Sequence, residues 1–219
     1  MRGVFSARFV ICLCRCASFP SAAHCWGATV KLEEYYDQAL AAAQAAYAGT
    51  KVADSTVCAV AIKADGSAKV SLFSGKDGFK QLKTLRQSSR PVKGDIGAAI
   101  TTELTNFLQT PGGGGFSTEQ INKKGFDDHG RGAMNCAEPK VYNHIKMALE
   151  NDPKEWVLLS FTRENGVVKY WAPCRNCRRF AYQQFNNLSW LIAAKYGGVA
   201  ALEGAKSAGR DALTNSAEF

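Results

Sequence analysis

"EWVLLSFTRENGVVKYWAPCRNCRRF" (residues 155–180) holds a strand, a turn, a second strand and a helix start in one unbroken run. "WVLLSF" is apolar and rich in residues that suit a buried strand, "ENG" (164–166) is a tight-turn signal, and "VVKYWA" is a short partner strand. "PCRNCRRFAYQQF" (173–185) then opens a helix. Pro173 suits its start, because the N–H that proline lacks would have no partner there.

The same pattern recurs upstream. "STVCAVAIKADGSAKVSLFSG" (55–75) reads as a hairpin of two β-rich runs turning at Asp65-Gly66. Helical periodicity marks 33–47, 95–108 with Asp95 as N-cap, and 138–150. In the last of these, Val141, Ile145 and Leu149 form one stripe and Pro139 lies in the first turn. "PGGGG" (111–115) reads as a flexible loop within a long irregular connection, 109–133, that could serve as an active-site loop or lid. "LSWLIAAKYGG" (188–198) fits strand or helix, and Val199 to Leu213 fits a helix. The order of elements predicts an α/β protein, a three-layer α/β/α sandwich around a central sheet.

A chain of 219 residues suits one sizeable domain, set at 31–219. Residues 1–30 differ from it: they carry Arg2, Arg8 and Arg15, several serines and no acid. That composition is expected of an organellar transit peptide. A secretory signal around "FVICLC" competes but is interrupted by Arg15, and an extension without function is a third reading. The leader also accounts for +3 of the formal net charge of +8. The remaining +5 tolerates a phosphate-bearing partner without demanding one. No apolar run reaches the ~18 residues of a membrane span, so no span is expected.

Cys12, Cys14, Cys16 and Cys25 belong to the leader, and Cys58 lies in an apolar run, where a free thiol is usually buried. Three cysteines stand apart. Cys174 and Cys177, spaced i, i+3 at one helix start, face the same way; Cys136 stands at another helix start in "MNCAEPK" (134–140). Helix N-termini favour thiolates, the metal-binding form, and three such ligands with an open fourth position are the usual catalytic zinc set. Glu138, beside Cys136, is the carboxylate placed to move protons for a metal-activated water.

"CAE" at 136–138 followed by "PCRNC" at 173–177 resembles the cytidine deaminase-like superfamily of zinc-dependent nucleobase deaminases. The resemblance spans roughly residues 50–200 and is nearest to the toxin-type and polynucleotide cytosine deaminases, through "YWAPC" and the long 109–133 loop. It implies a roughly five-stranded mixed sheet, Zn2+ on Cys136, Cys174 and Cys177, and Glu138 as the catalytic proton shuttle. It also implies hydrolytic deamination of cytosine in single-stranded DNA or RNA, with Asn135, Trp171 and Arg175 as substrate contacts. Two departures matter. Free-nucleoside relatives place arginine after "CAE", where this chain has Pro139, and they carry an upstream Asn-x-Glu that this chain lacks. We therefore expect Arg178 to donate to a ligand thiolate in place of the missing arginine.

Other readings stand beside these. Cys174 and Cys177 could form a redox pair or a structural zinc knuckle completed by His129 or His144. Glu138 could be an ordinary first-turn acid, Trp171 a core residue, and the basic cluster a solvated face. At the level of function, a nucleoside salvage deaminase and a catalytically silent nucleic-acid-binding zinc module are the alternatives.

Overall fold

The structure is a computed structural model that describes residues 32–89, 94–123, 130–186 and 188–197. The leader, His129 and the expected helix from Val199 to Leu213 lie outside the described residues.

Four strands form one sheet: β1 (Cys58–Lys63), β2 (Lys69–Phe73), β3 (Trp156–Glu164) and β4 (Val167–Tyr170), in the order β2-β1-β3-β4. Every pairing is antiparallel. Both expected hairpins are present. Asp65 caps the first turn by accepting from the backbone N–H and hydroxyl of Ser67, and Gly66 takes φ +75°. Asn165 and Gly166 turn the second with φ of +50° and +79°, as a two-residue hairpin loop requires.

Period-2 alternation divides the sheet between two cores. Ala59, Ala61, Leu72, Trp156 and Leu158 face one side, where they meet α2 (Gly75–Ser89), α3 (Ile96–Gln109) and α5 (Glu138–Asn143). Cys58, Val60, Ile62, Val157, Leu159 and Phe161 face the other, against Ala39, Ala43 and Tyr47 of α1 (Leu32–Ala48). Cys58 is fully buried, as expected. In α3, Ile96, Ile100, Leu104 and Leu108 recur every fourth residue and are all buried, while Asp95 accepts from Gly97 N at 2.8 Å as N-cap. Helices thus cover both faces, and the protein is α/β with layers on either side of the sheet.

Three expectations need correction. The sheet has four antiparallel strands among the described residues, not a roughly five-stranded mixed set. The apolar run that could have added a strand is helical over 188–197 (α8), with Ser189, Ile192 and Ala193 buried at helical spacing. Second, α2 occupies a stretch the sequence left unassigned. Third, the 109–133 connection is partly ordered: Pro111–Gly113 forms a 3-10 turn, and α4 (Thr118–Asn122) starts from a capping box between Ser117 and Gln120. The 138–150 helix is present as α5, widened into a π-turn at His144–Ala148. Among the described residues no helix is long and apolar enough to cross a membrane.

Candidate metal centre

Two short helices bring the cysteines together. A 3-10 turn, Ala133–Asn135, delivers Cys136 in extended conformation, and α5 begins two residues later at Glu138, with Pro139 in its first turn. From the other side, the chain leaves β4 and enters α6 (Arg175–Arg178), with Cys174 as its N-cap and Cys177 on its single turn. Cys136 Sγ lies 3.4 Å from Cys174 Sγ, and Cys174 Sγ lies 3.6 Å from Cys177 Sγ. All three sulfurs fall within 4.8 Å of one another, and the cysteines are free. This is the one predicted constellation that the fold assembles fully. A disulfide would need about 2.05 Å between sulfurs, so these are non-bonded neighbours.

Glu138 completes the cluster from inside. It is 2% exposed, and each carboxylate oxygen accepts a hydrogen bond. Ser160 Oγ donates to Oε1 at 2.9 Å, and Cys177 Sγ donates to Oε2 at 3.0 Å. Ser160 follows Trp156 and Leu158 at spacing two, so its hydroxyl emerges on the same sheet face as α5. The sequence reading missed Ser160; its signal was a polar residue in the middle of an otherwise apolar strand.

It also missed Lys140, which is 1% exposed. Its ammonium donates to the carbonyls of Met134 (3.0 Å), Asn135 (3.1 Å) and Cys136 (2.7 Å). The expected role of Arg178 meets a different geometry. Its Nε donates to Pro173 O at 2.7 Å, with no hydrogen bond to a cysteine sulfur. The backbone reason is simple: Pro173 O lies at the start of the one-turn helix, within reach of a side chain folding back from its end.

The titration behaviour follows from burial and shared protons. The Cys136 thiol is held well below its ordinary range by its neighbour Cys174 first and then by Cys177, against the opposing effect of burial. Cys174 is pushed up by giving its proton to Cys136, and Cys177 is pushed up by burial first. Glu138 is raised by burial, while Cys177 and Ser160 pull it back. Lys140 is pushed down to about 8 by burial, and the charges of Cys136, Glu138 and Cys177 oppose that shift.

The remaining predicted residues sit at the rim. Asn135 and Arg175 are exposed, and Trp171 is 48% exposed, so it is not a core residue. The backbone N–H of Trp171 donates to Ser160 O at 2.9 Å, which fixes the aromatic residue to the strand that holds Glu138. His144 is buried with its Nδ1 unpaired and lies outside the sulfur cluster. Among the described residues the cluster therefore offers three sulfur ligands, a buried carboxylate that is not one of them, and a half-buried cysteine on its outer side. Such an arrangement can hold a thiophilic metal ion with one coordination position left over.

No protein-family model matches the chain, and neither a curated protein nor a solved structure shows significant similarity to it.

Proposed function

We propose that the chain is a zinc-dependent hydrolase that deaminates cytosine in single-stranded polynucleotides. The carrying observation is the three-sulfur cluster with Glu138 Oε2 3.0 Å from one of its members. Thiolates select Zn2+ among the common divalent ions, and tetrahedral Zn–S bonds of 2.3 Å place sulfurs about 3.8 Å apart. The sulfur contacts of 3.4 and 3.6 Å lie close to that spacing, so the donor set fits zinc in both chemistry and size.

Zinc held by Cys136, Cys174 and Cys177 supplies Lewis acidity that makes water a nucleophile near neutral pH. The protein's own part is proton handling. In the overall reaction a C–O bond forms at C4 of cytosine and the C4–N bond breaks. One proton of water ends on ring N3 and the other leaves with the amine as ammonia. Glu138 is the group that can carry both, since its carboxylate is buried against the sulfur cluster and is the acid nearest to it. Ser160 keeps its carboxylate aimed at the cluster.

Polynucleotide is favoured over free nucleoside by the rim. Trp171 offers an exposed ring for a base to stack on, and exposed Arg175 and Arg131 offer charge to a phosphate backbone. The strand must be single because a base inside a duplex is out of reach without unpairing. The test incubates the zinc-loaded chain with single-stranded DNA, RNA and free cytidine, with Glu138→Ala as control. We expect uracil in the oligonucleotides and a fall of about 10²–10⁴ in turnover for the variant. Activity surviving in Glu138→Ala overturns the mechanism. Turnover of free cytidine alone moves the assignment to salvage, and binding without turnover leaves a silent zinc module.

A further inference from the structure

The "CAEPK" turn presents a charge problem that the three ligands do not solve. Three thiolates on one Zn2+ leave a formal charge of −1, and Glu138 places a further carboxylate against them. Charges taken out of water need a partner. Of the three arginines beside the ligands, Arg175 is exposed, Arg178 Nε donates to Pro173 O, and Arg179 Nε donates to Gly114 O at 2.8 Å. The cation that lies inside is Lys140. All three of its N–H donors are used, and all three acceptors belong to consecutive residues, Met134, Asn135 and Cys136.

Those acceptors are the turn that delivers Cys136. A 3-10 turn of three residues has little stability of its own. Three charge-assisted bonds converging from one buried ammonium hold it in a single conformation, and with it the position of the Cys136 sulfur. We propose that Lys140 is the positioning residue and internal counter-ion of the metal centre, taking the place of the arginine expected after Glu138. The lysine belongs to the first turn of α5, so the same four residues that carry the proton shuttle also carry the charge that keeps the thiolate turn in place. This inference rests on the zinc reading of the cluster.

The experiment compares the full-length wild type with Lys140→Met, which keeps the side chain's length and removes its charge and donors. Leu104→Ala serves as a control that opens a cavity in the same core while leaving Lys140 and its three acceptors in the chain. Zinc affinity is read by chelator competition, and the ligand field by the thiolate-to-cobalt charge-transfer band of the Co2+ form. Loss of a partner that orients a ligand typically weakens metal binding ~10–100-fold. That loss, together with a shifted cobalt band, is expected for Lys140→Met and not for Leu104→Ala. Equal affinity and an unchanged band in Lys140→Met overturn the proposal, as does an equal loss in both variants. If Lys140→Met does not fold, amine acetylation of the wild type decides. Lys140 in the zinc-loaded chain should resist labelling while exposed Lys80 reacts, and equal labelling overturns the proposal. Failure of the zinc reading itself is distinct, since wild type would then bind neither zinc nor Co2+ at the three cysteines.

Discussion

The two halves of the metal centre are built in different ways. The Cys136 half is internal and supports itself: Glu138 and Lys140 are buried, and Lys140 bonds the backbone of the turn only four to six residues before it. The Cys174–Cys177 half is a single helical turn, and distant segments hold it in place. Asn176 Nδ2 donates to Arg131 O at 3.3 Å, Arg179 Nε to Gly114 O at 2.8 Å, and Gln184 Nε2 of α7 (Ala181–Gln184) to Gly112 O at 2.9 Å. Its outer side carries exposed Arg175 and Trp171. The contrast separates two tasks. On the proposed function the inner half would fix the reacting groups and the outer half would face the substrate, and the outer half relies on the glycine loop for its position.

That reliance gives the largest predicted effect. A Cβ on Gly113 would lie 1.9 Å from Phe107 O, backbone that cannot yield without moving the end of α3. Gly113→Ala should destabilise the fold by about 3 kcal/mol, near the upper end for overpacking. The damage should also be uneven, with Cys174 and Cys177 gaining reactivity towards a thiol reagent before Cys136 does. Urea unfolding with mass-spectrometric thiol labelling checks both, and uniform exposure of all three cysteines would dissolve the distinction between the halves.

The same loop shows where sequence reading works and where it stops. The hairpins at 55–75 and 155–172 were legible because alternation and the Asp-Gly and Asn-Gly turns leave few alternatives. Cys136, Glu138, Cys174 and Cys177 were legible because metal chemistry demands those types at those spacings. "PGGGG" looked flexible because composition cannot separate glycine used for freedom from glycine used for close approach. Here Gly113 and Gly114 are buried, with Gly114 at φ +108° beneath the Phe116 ring. Helix α2 was missed because its buried face holds Leu82 and Gly78 together with the charged Arg86, whose guanidinium bonds Glu103 at 2.7 Å. Lys140 escaped for the same reason: a lysine in a first helical turn reads as surface until three carbonyls are seen around it.

Trp171 sharpens the contrast from the outside. If Trp171 serves the substrate alone, Trp171→Ala should weaken single-stranded oligonucleotide binding by about 1–3 kcal/mol, the usual worth of one stacked base. Zinc content and the thermal midpoint should stay at wild-type values, since the ring is 48% exposed and anchors to the sheet through its backbone N–H. Fluorescence anisotropy at fixed salt, with a parallel zinc assay, measures the split. Loss of zinc in this variant would place Trp171 with the inner half.

Ser160 is where the halves meet, and it carries the smallest predicted effect. Its carbonyl accepts from Trp171 N while its hydroxyl donates to Glu138 Oε1, so one strand residue serves both sides. Ser160→Ala removes only the second bond, because the backbone contact does not depend on the side chain. Stability should fall by about 1 kcal/mol, the ordinary worth of a buried hydrogen bond. The sign of the pH effect follows from which form the bond favours. A hydroxyl donor stabilises the ionised carboxylate and lowers its pKa; without it, burial pushes Glu138 further up. Activity that needs ionised Glu138 as base is lost as pH falls through that pKa, so the acid limb of kcat/KM should move to higher pH in the variant. Zinc affinity should stay unchanged, since Ser160 donates to the carboxylate and not to a ligand sulfur. A limb that stays put, or moves to lower pH, would mean that Ser160 does not set the proton affinity of Glu138, and that the inner half does not hold its own proton carrier.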